Sequence, residues 1–237
     1  MGRTRWAITN LAVASVLVWA ASAVGAPPAP TVVASGRITP SPDSVPLDKL
    51  DPRIRGEIRA VIERPSIAAQ GPAEVFACRP EHYYWFLDHP DRAVAAWRRL
   101  GAKCVSINPQ GNGLFGWSDE NGSAVTWQTV YCDAEKRVWY AWGKVRPGAL
   151  LPLVPVRVVV VLHHKERPGA DGGTMIHHYS DMFMHTDSKT AGLVAKMLGA
   201  SAPRLAEQGL GQLQMFFSAL SYYCDRNPRS AAALLED

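Results

Sequence analysis

The sequence predicts an α+β fold: about seven antiparallel strands, two short helices between the first strand and the second, and a long C-terminal helix laid across the sheet. Three observations predict it. From Cys104 to His185, stretches that alternate apolar and polar residues follow one another, separated by Gly, Pro, Asn and Asp turns, which is the pattern of a meander. Between Pro80 and Leu100 the pattern changes to two short helical runs that meet at Asp88-His89-Pro90-Asp91. From Thr186 to Cys224 the apolar residues recur at helical spacing, with start, break and stop signals of their own.

A chain of 237 residues is long enough for one domain with a sizeable core. With 47% apolar and 19% charged residues it falls among ordinary globular proteins rather than disordered ones. The net charge of +4 is mild and the basic residues are dispersed among acids, so no nucleic-acid partner is assigned. The chain has no Gly-rich phosphate loop, no nucleophile elbow and no HExxH helix, and no cofactor is assigned.

In chain order, Arg3 and Arg5 precede an apolar run and then small residues that offer cleavage after Ala23 or Ala26. Residues 1–26 therefore read as a secretory signal peptide, which makes the protein secreted or periplasmic. The apolar run from Leu11 to Val24 is short against the roughly 20 residues of a membrane span, which disfavours an uncleaved anchor. Residues 27–46, rich in Pro, Ala, Ser and Val, read as a mobile tether. Residues 47–64 hold an amphipathic helix opened by Asp51-Pro52, with Ile54, Ile58, Val61 and Ile62 on one side, suited first to docking on the sheet and second to recruiting a partner. In an oxidising compartment Cys78, Cys104, Cys132 and Cys224 allow one or two disulfides, with three full pairings open, or buried free thiols.

The main domain spans 65–226. Ile67 to Cys78 is the first strand, and each of Asp88, His89 and Asp91 has a capping reason to stand at the helix corner. Val105–Asn108 and Gly113–Ser118 read as short strands around Pro109-Gln110-Gly111-Asn112. A long hairpin follows, Ala124–Cys132 with Arg137–Arg146, in which Val138, Tyr140 and Trp142 share one side and Trp139, Ala141 and Val145 the other. Trp117, Trp127, Trp139 and Trp142 read first as core packing and second as the wall of an apolar pocket. The Pro147–Pro155 loop is apolar yet too proline-rich for a helix or an inner strand. Val156–His163 is a buried strand answered by Thr174–His185. If His163 lies opposite His177, alternation puts that pair on one face and His164 and His178 on the other. No carboxylate stands at ligand spacing beside these imidazoles, and no metal is assigned.

The C-terminal region reads as a run Thr190–Leu198 ended by Gly199, then a helix capped by Ser201 and carried to about Cys224. Leu205, Gly209, Leu213, Phe216, Phe217, Leu220 and Cys224 share its apolar face. Gly209 and Gly211 within it mean either close packing or space left for a ligand. Residues 227–237 read as a tail.

The order of elements, with Pro80-Glu81-His82-Tyr83-Tyr84-Trp85-Phe86-Leu87-Asp88 after the first strand and Met182-Phe183-Met184 running toward Lys189–Leu198 and the Ala202-Pro203 helix start, resembles the helix-grip fold of the START/SRPBCC superfamily. The resemblance covers Ser66 to Cys224. It implies a curved sheet wrapped around the last helix over an apolar cavity, and binding or transport of a lipid, sterol or polycyclic molecule rather than catalysis. Trp127, Tyr140, Trp142, Leu151, Leu153, Leu213, Phe216 and Phe217 are the lining that it implies, and the 147–155 loop resembles mouth loops that open at a membrane. Cyclases and aromatases of the same superfamily suggest an enzymatic alternative, with His163, His177, Tyr179 or Asp181 moving protons in the cavity. A structural envelope protein with a filled interior is the third reading.

Overall fold

The computed structural model of the chain describes residues 31–33, 39–146, 152–170, 172–186 and 202–235. The expected signal peptide (residues 1–26), residues 147–151 of the expected apolar loop, Leu151 among them, and the expected helix Thr190–Leu198 lie outside the described residues. Described are strands β1 (Thr31–Val33), β2 (Ile67–Gln70), β3 (Ala73–Ala77), β4 (Asn108–Gly111), β5 (Leu114–Ser118), β6 (Ala124–Cys132), β7 (Lys136–Val145), β8 (Val154–Pro168) and β9 (Thr174–His185). The helices are α1 (Pro52–Glu63), α2 (Pro80–Asp88), α3 (Pro90–Arg99), α4 (Ala202–Arg226) and α5 (Pro228–Leu235). All nine strands form one antiparallel sheet in the order β1-β3-β9-β8-β7-β6-β5-β4, with β2 also paired to β9.

The two faces of the sheet are covered differently. On the inner face α2 and α4 bury Phe76, Leu162, Ile176, Met182, Tyr83, Phe86, Leu210 and Leu220. On the outer face α1 and the turns at Pro42–Ser44 and Leu47–Lys49 bury Val138, Val159, Val161 and Phe183 under Val45, Leu50, Ile58, Val61 and Ile62. Val158 to Val161 run without a polar break because both of their faces are covered: Val158 and Val160 point inward, Val159 and Val161 outward. The fold is thus α+β and helix-grip-like, with the C-terminal helix against the inner face.

The sheet has more strands than the sequence pattern implies, for two reasons. Gly71-Pro72 breaks the expected first strand into β2 and β3, since proline cannot donate to the ladder. A Cβ at Gly71 would stand 2.1 Å from Gln214 Oε1 and 2.9 Å from Leu210 Cβ, so the break lets α4 come close. Part of the expected tether is also ordered: Thr31–Val33 pairs with β3, and Val45 is buried in the outer core.

Three further corrections concern boundaries. The first meander turn is Asn112-Gly113, both at positive φ as a tight hairpin requires, so Pro109-Gln110-Gly111 belongs to strand β4 at the sheet edge. Strand β8 runs past the expected end at His163, because the strands pair as far as Pro168 and Thr174, and the turn to β9 begins at Gly169. The expected tail is largely helix: α5 packs back on α3 and α4, buries Ala231, and takes the Arg99 guanidinium on the carbonyl of Leu234.

Candidate functional site

The inner face divides into a closed half and a half-open one. Over β2, β3, β9 and β8, α2 and α4 close it around a chain of buried polar groups. Glu74 projects inward in phase with Phe76, and His178 in phase with Ile176 and Met182. The Ser218 hydroxyl donates to Glu74 Oε2 at 2.8 Å, and His178 Nε2 lies 3.0 Å from the same oxygen. A carboxylate oxygen that takes the Ser218 hydroxyl proton can accept the Nε2–H of His178 as well, and the Tyr83 hydroxyl lies 2.7 Å from His178 Nδ1. The chain Tyr83–His178–Glu74–Ser218 thus joins α2, β9, β3 and α4.

Solvent does not reach that chain: Tyr83 and Ser218 are 0% exposed, His178 2% and Glu74 3%. Burial pushes the Tyr83 phenol well above its usual range. Beside the chain, His164 faces His178 across the β8–β9 ladder, in edge contact with Tyr83 and Tyr84. Its Nε2 is buried without a hydrogen-bond partner among the described residues. Burial first, then the nearby Arg137 charge, lowers the His164 pKa to about 4, so the ring is neutral at neutral pH. Arg137, also turned inward, donates to the carbonyl of Leu87 at 3.0 Å and pairs with Asp88 at 2.7 Å, which neutralises the C-terminus of α2. Asp88 is therefore tied into structure, as is His89, whose ring stacks on Trp85 and bonds its carbonyl.

Phe216 and Phe217, both expected to line a cavity, are core residues at the edge of the closed half. Phe217 stacks with Trp139 at 6.1 Å, Phe216 with Trp97 at 6.1 Å, and the Trp97 indole donates to the Phe216 carbonyl. Leu213 is half-buried against the same core. Gly211 faces Pro72, which a Cβ would meet at 3.2 Å; close packing accounts for this glycine.

The half-open part is the inner face of β5 and β6. Trp127 lies opposite Phe115 and stacks on it with ring centroids 5.8 Å apart, and Trp117 lies opposite Val125 one step along. Phe115, Trp117 and Trp127 are all half-buried, so this wall of rings keeps part of its surface.

Tyr140 and Trp142, expected in the same lining, lie on the outer face. The alternation along β7 is as expected, but α1 covers the side that carries them, and the Tyr140 hydroxyl donates to Glu57 of that helix at 2.7 Å. Leu153 is half-buried where β8 begins. His163, Tyr179, Asp181 and His177 are also outer-face residues, because they fall in phase with Val161 and Phe183. The register differs from the assumed one by two residues: His163 pairs with Tyr179, and His177 with Lys165. Asp181, buried, takes Gln70 Nε2 at 2.8 Å and His163 Nε2 at 3.1 Å, while the His163 ring stacks on Tyr179 at 4.4 Å. Among the described residues no three His, Cys, Asp or Glu side chains are grouped to hold a metal ion. The four cysteines are free thiols, Cys78 and Cys224 buried, Cys104 half-buried and Cys132 exposed.

The sequence reading missed Glu74, Tyr83 and Ser218 as a group. The signal was present in Glu74, an acid at core phase two residues from Phe76, in a chain whose His178 also falls at core phase.

No protein-family model and no curated protein matches the chain. Among solved structures it is similar to a conserved protein from Geobacillus kaustophilus, at 13% identity and a TM-score of 0.41, over 64% of this chain and 95% of that one. It is similar to a hypothetical protein from Helicobacter pylori at 13% identity and a TM-score of 0.38, over 66% of this chain and 89% of that one. A third is the di-domain ARO/CYC protein BexL of the BE-7585A biosynthetic pathway, at 18% identity and a TM-score of 0.33, over 75% of this chain and 51% of that one.

Proposed function

We propose that the chain is an exported protein of START/SRPBCC type that binds or carries a hydrophobic molecule, a lipid or a polycycle, against the inner face of β5 and β6. The observation that carries this reading is the half-buried ring wall of Phe115, Trp117 and Trp127 beside a closed aromatic core. Large rings left partly exposed side by side are costly in water, and covering them gains about 25 cal/mol per Å². A ligand that covers a few hundred Å² there needs no strong polar anchor. The apolar loop at 147–155 is the entry point in this reading, in transient contact with a membrane. A binder is favoured over a cyclase-like enzyme because rings rather than acid–base groups occupy the half-open wall among the described residues, while Tyr83, His178 and Glu74 are sealed from solvent.

Mass spectrometry of organic extracts from protein purified without detergent tests the reading. The expected result is a retained lipid or polycycle at near-stoichiometric amount, depleted by Trp127→Ala. Protein that is empty after gentle purification and takes up neither fluorescent lipid nor polycycle would overturn it.

A further inference from the structure

Trp142 is on the wrong face for the inner wall, and it lines a separate hollow of about 290 Å³ with Gly143, Lys144, Pro155, Val156, Arg157 and His185. The ladder explains the grouping. Trp142 pairs directly with Arg157, and Arg157 with His185, so one indole, one guanidinium and one imidazole form a row across β7, β8 and β9 on the outer face. Strands about 4.8 Å apart make that row roughly 10 Å wide. Lys144 stands two residues beyond Trp142 on the same face, opposite Pro155.

The charges in the hollow are not used up by the fold. Arg157 and Lys144 are exposed and form no ion pair or hydrogen bond with the described residues, and the Trp142 indole N–H has no acceptor among them. Glu57 of α1 accepts the Tyr140 hydroxyl at 2.7 Å, and Arg157 lies near enough to Tyr140 to act on that phenol through its charge. Trp142 is held against Tyr140, with centroids 5.4 Å apart, and His185 against the carbonyl of Arg64 at 2.8 Å through Nδ1. The carbonyl only accepts, so Nδ1 carries the proton there. Two of the walls are thus fixed before anything binds, which lowers the ordering cost of binding.

We propose that this hollow is a second binding site, for a small organic anion: a phosphate or carboxylate group held by Arg157 and Lys144, attached to a flat apolar body that lies on the Trp142 indole. An arginine fork matches either oxyanion in two-point geometry, and a lysine adds a point charge beside it. The volume is at the lower edge of the roughly 300–1,000 Å³ of small-molecule sites, which fits a single ring with its anion or one lipid headgroup. The site lies on the opposite face from the ring wall, so it stands whether or not that wall binds a ligand.

The test is titration of the full chain with phenyl phosphate, benzoate and inorganic phosphate, followed by NMR of the ¹⁵N-labelled indole groups, with the Trp142 signal assigned by Trp142→Phe. We expect phenyl phosphate or benzoate to shift the Trp142 signal with saturation, inorganic phosphate to bind more weakly, and added salt to weaken all three. Arg157→Gln should reduce affinity at least tenfold and Lys144→Gln about threefold, with the other indole signals of the free proteins unchanged. Sedimentation with phosphatidylglycerol vesicles, against phosphatidylcholine ones, separates the sources. Arg157-dependent vesicle binding that competes with phenyl phosphate assigns the site to a lipid headgroup, and binding of the free anion alone assigns it to a soluble ligand. If no probe moves the Trp142 signal, or if Arg157→Gln binds as wild type does, the proposal fails.

Discussion

Glu74 is the residue on which the closed half of the inner face depends. Removing it as Glu74→Leu leaves the His178 N–H and the Ser218 hydroxyl buried without their acceptor. Each orphaned group costs on the order of 1–3 kcal/mol, so urea denaturation should find a loss of about 2–6 kcal/mol. Adding Tyr83→Phe, His178→Phe and Ser218→Ala to that variant should recover most of it, because replacing all four members of the chain by apolar groups leaves none of them unpaired. His164 gives a pH signature. Its folded pKa, about 4, is below the unfolded value of 6.5, so the unfolded chain takes up the proton first as pH falls. The stability this ring contributes is fully present above pH 6.5 and is lost on the way down to about 4, with a slope of up to about 1.4 kcal/mol per pH unit. Denaturation midpoints measured between pH 7 and 4 should show that slope in the wild type, and His164→Gln should flatten it. These side chains were only half legible in the sequence. Alternation placed His164 and His178 on a common face, but not the partners that Tyr83 and Glu74 bring from other elements.

At the level of elements, the approach of α4 to the sheet is fixed at the Gly71-Pro72 break. A methyl group added at Gly71 would press on both Gln214 and Leu210, and Leu210 Cβ is close to the helix backbone and has little room to yield. Gly71→Ala should therefore cost about 1–3 kcal/mol in chemical denaturation, the range for overpacking. Gly56→Ala in α1, where a Cβ meets nothing within 4 Å, should instead stabilise by up to about 1 kcal/mol. Helices α1 to α3, the β6–β7 hairpin and α4 were legible because each carries its own period and its own stop signal. The division of the first strand was not. Gly-Pro in an otherwise alternating run reads equally well as a bulge or an end, and only the contact with Gln214 across 142 residues decides it. Tyr140 and Trp142 were misassigned for a related reason. Period two sorts residues onto two faces, but which face a distant helix covers is a tertiary fact, here decided by the bond from Tyr140 to Glu57.

For the whole molecule, the sheet presents three surfaces of different chemistry: a sealed polar-cored interior, a wall of partly exposed rings on β5 and β6, and a cationic hollow on the outer side. The α+β architecture was legible from the order of elements, since a meander followed by a single long amphipathic helix has few ways to bury both apolar faces. The location of open space was not, because rings that fill a core and rings that line a pocket look alike in sequence. Phe217 and Trp127 illustrate this, one stacked on Trp139 inside the core and the other half-buried beside Phe115. The most direct measurement is titration with a neutral polycycle such as pyrene, read by energy transfer from tryptophan, in the wild type, Trp127→Ala and Trp142→Phe. Saturable binding weakened at least fivefold by Trp127→Ala and unchanged by Trp142→Phe is the predicted result. Absence of saturable binding, or equal affinity in wild type and Trp127→Ala, would contradict the assignment of the inner ring wall as the ligand site.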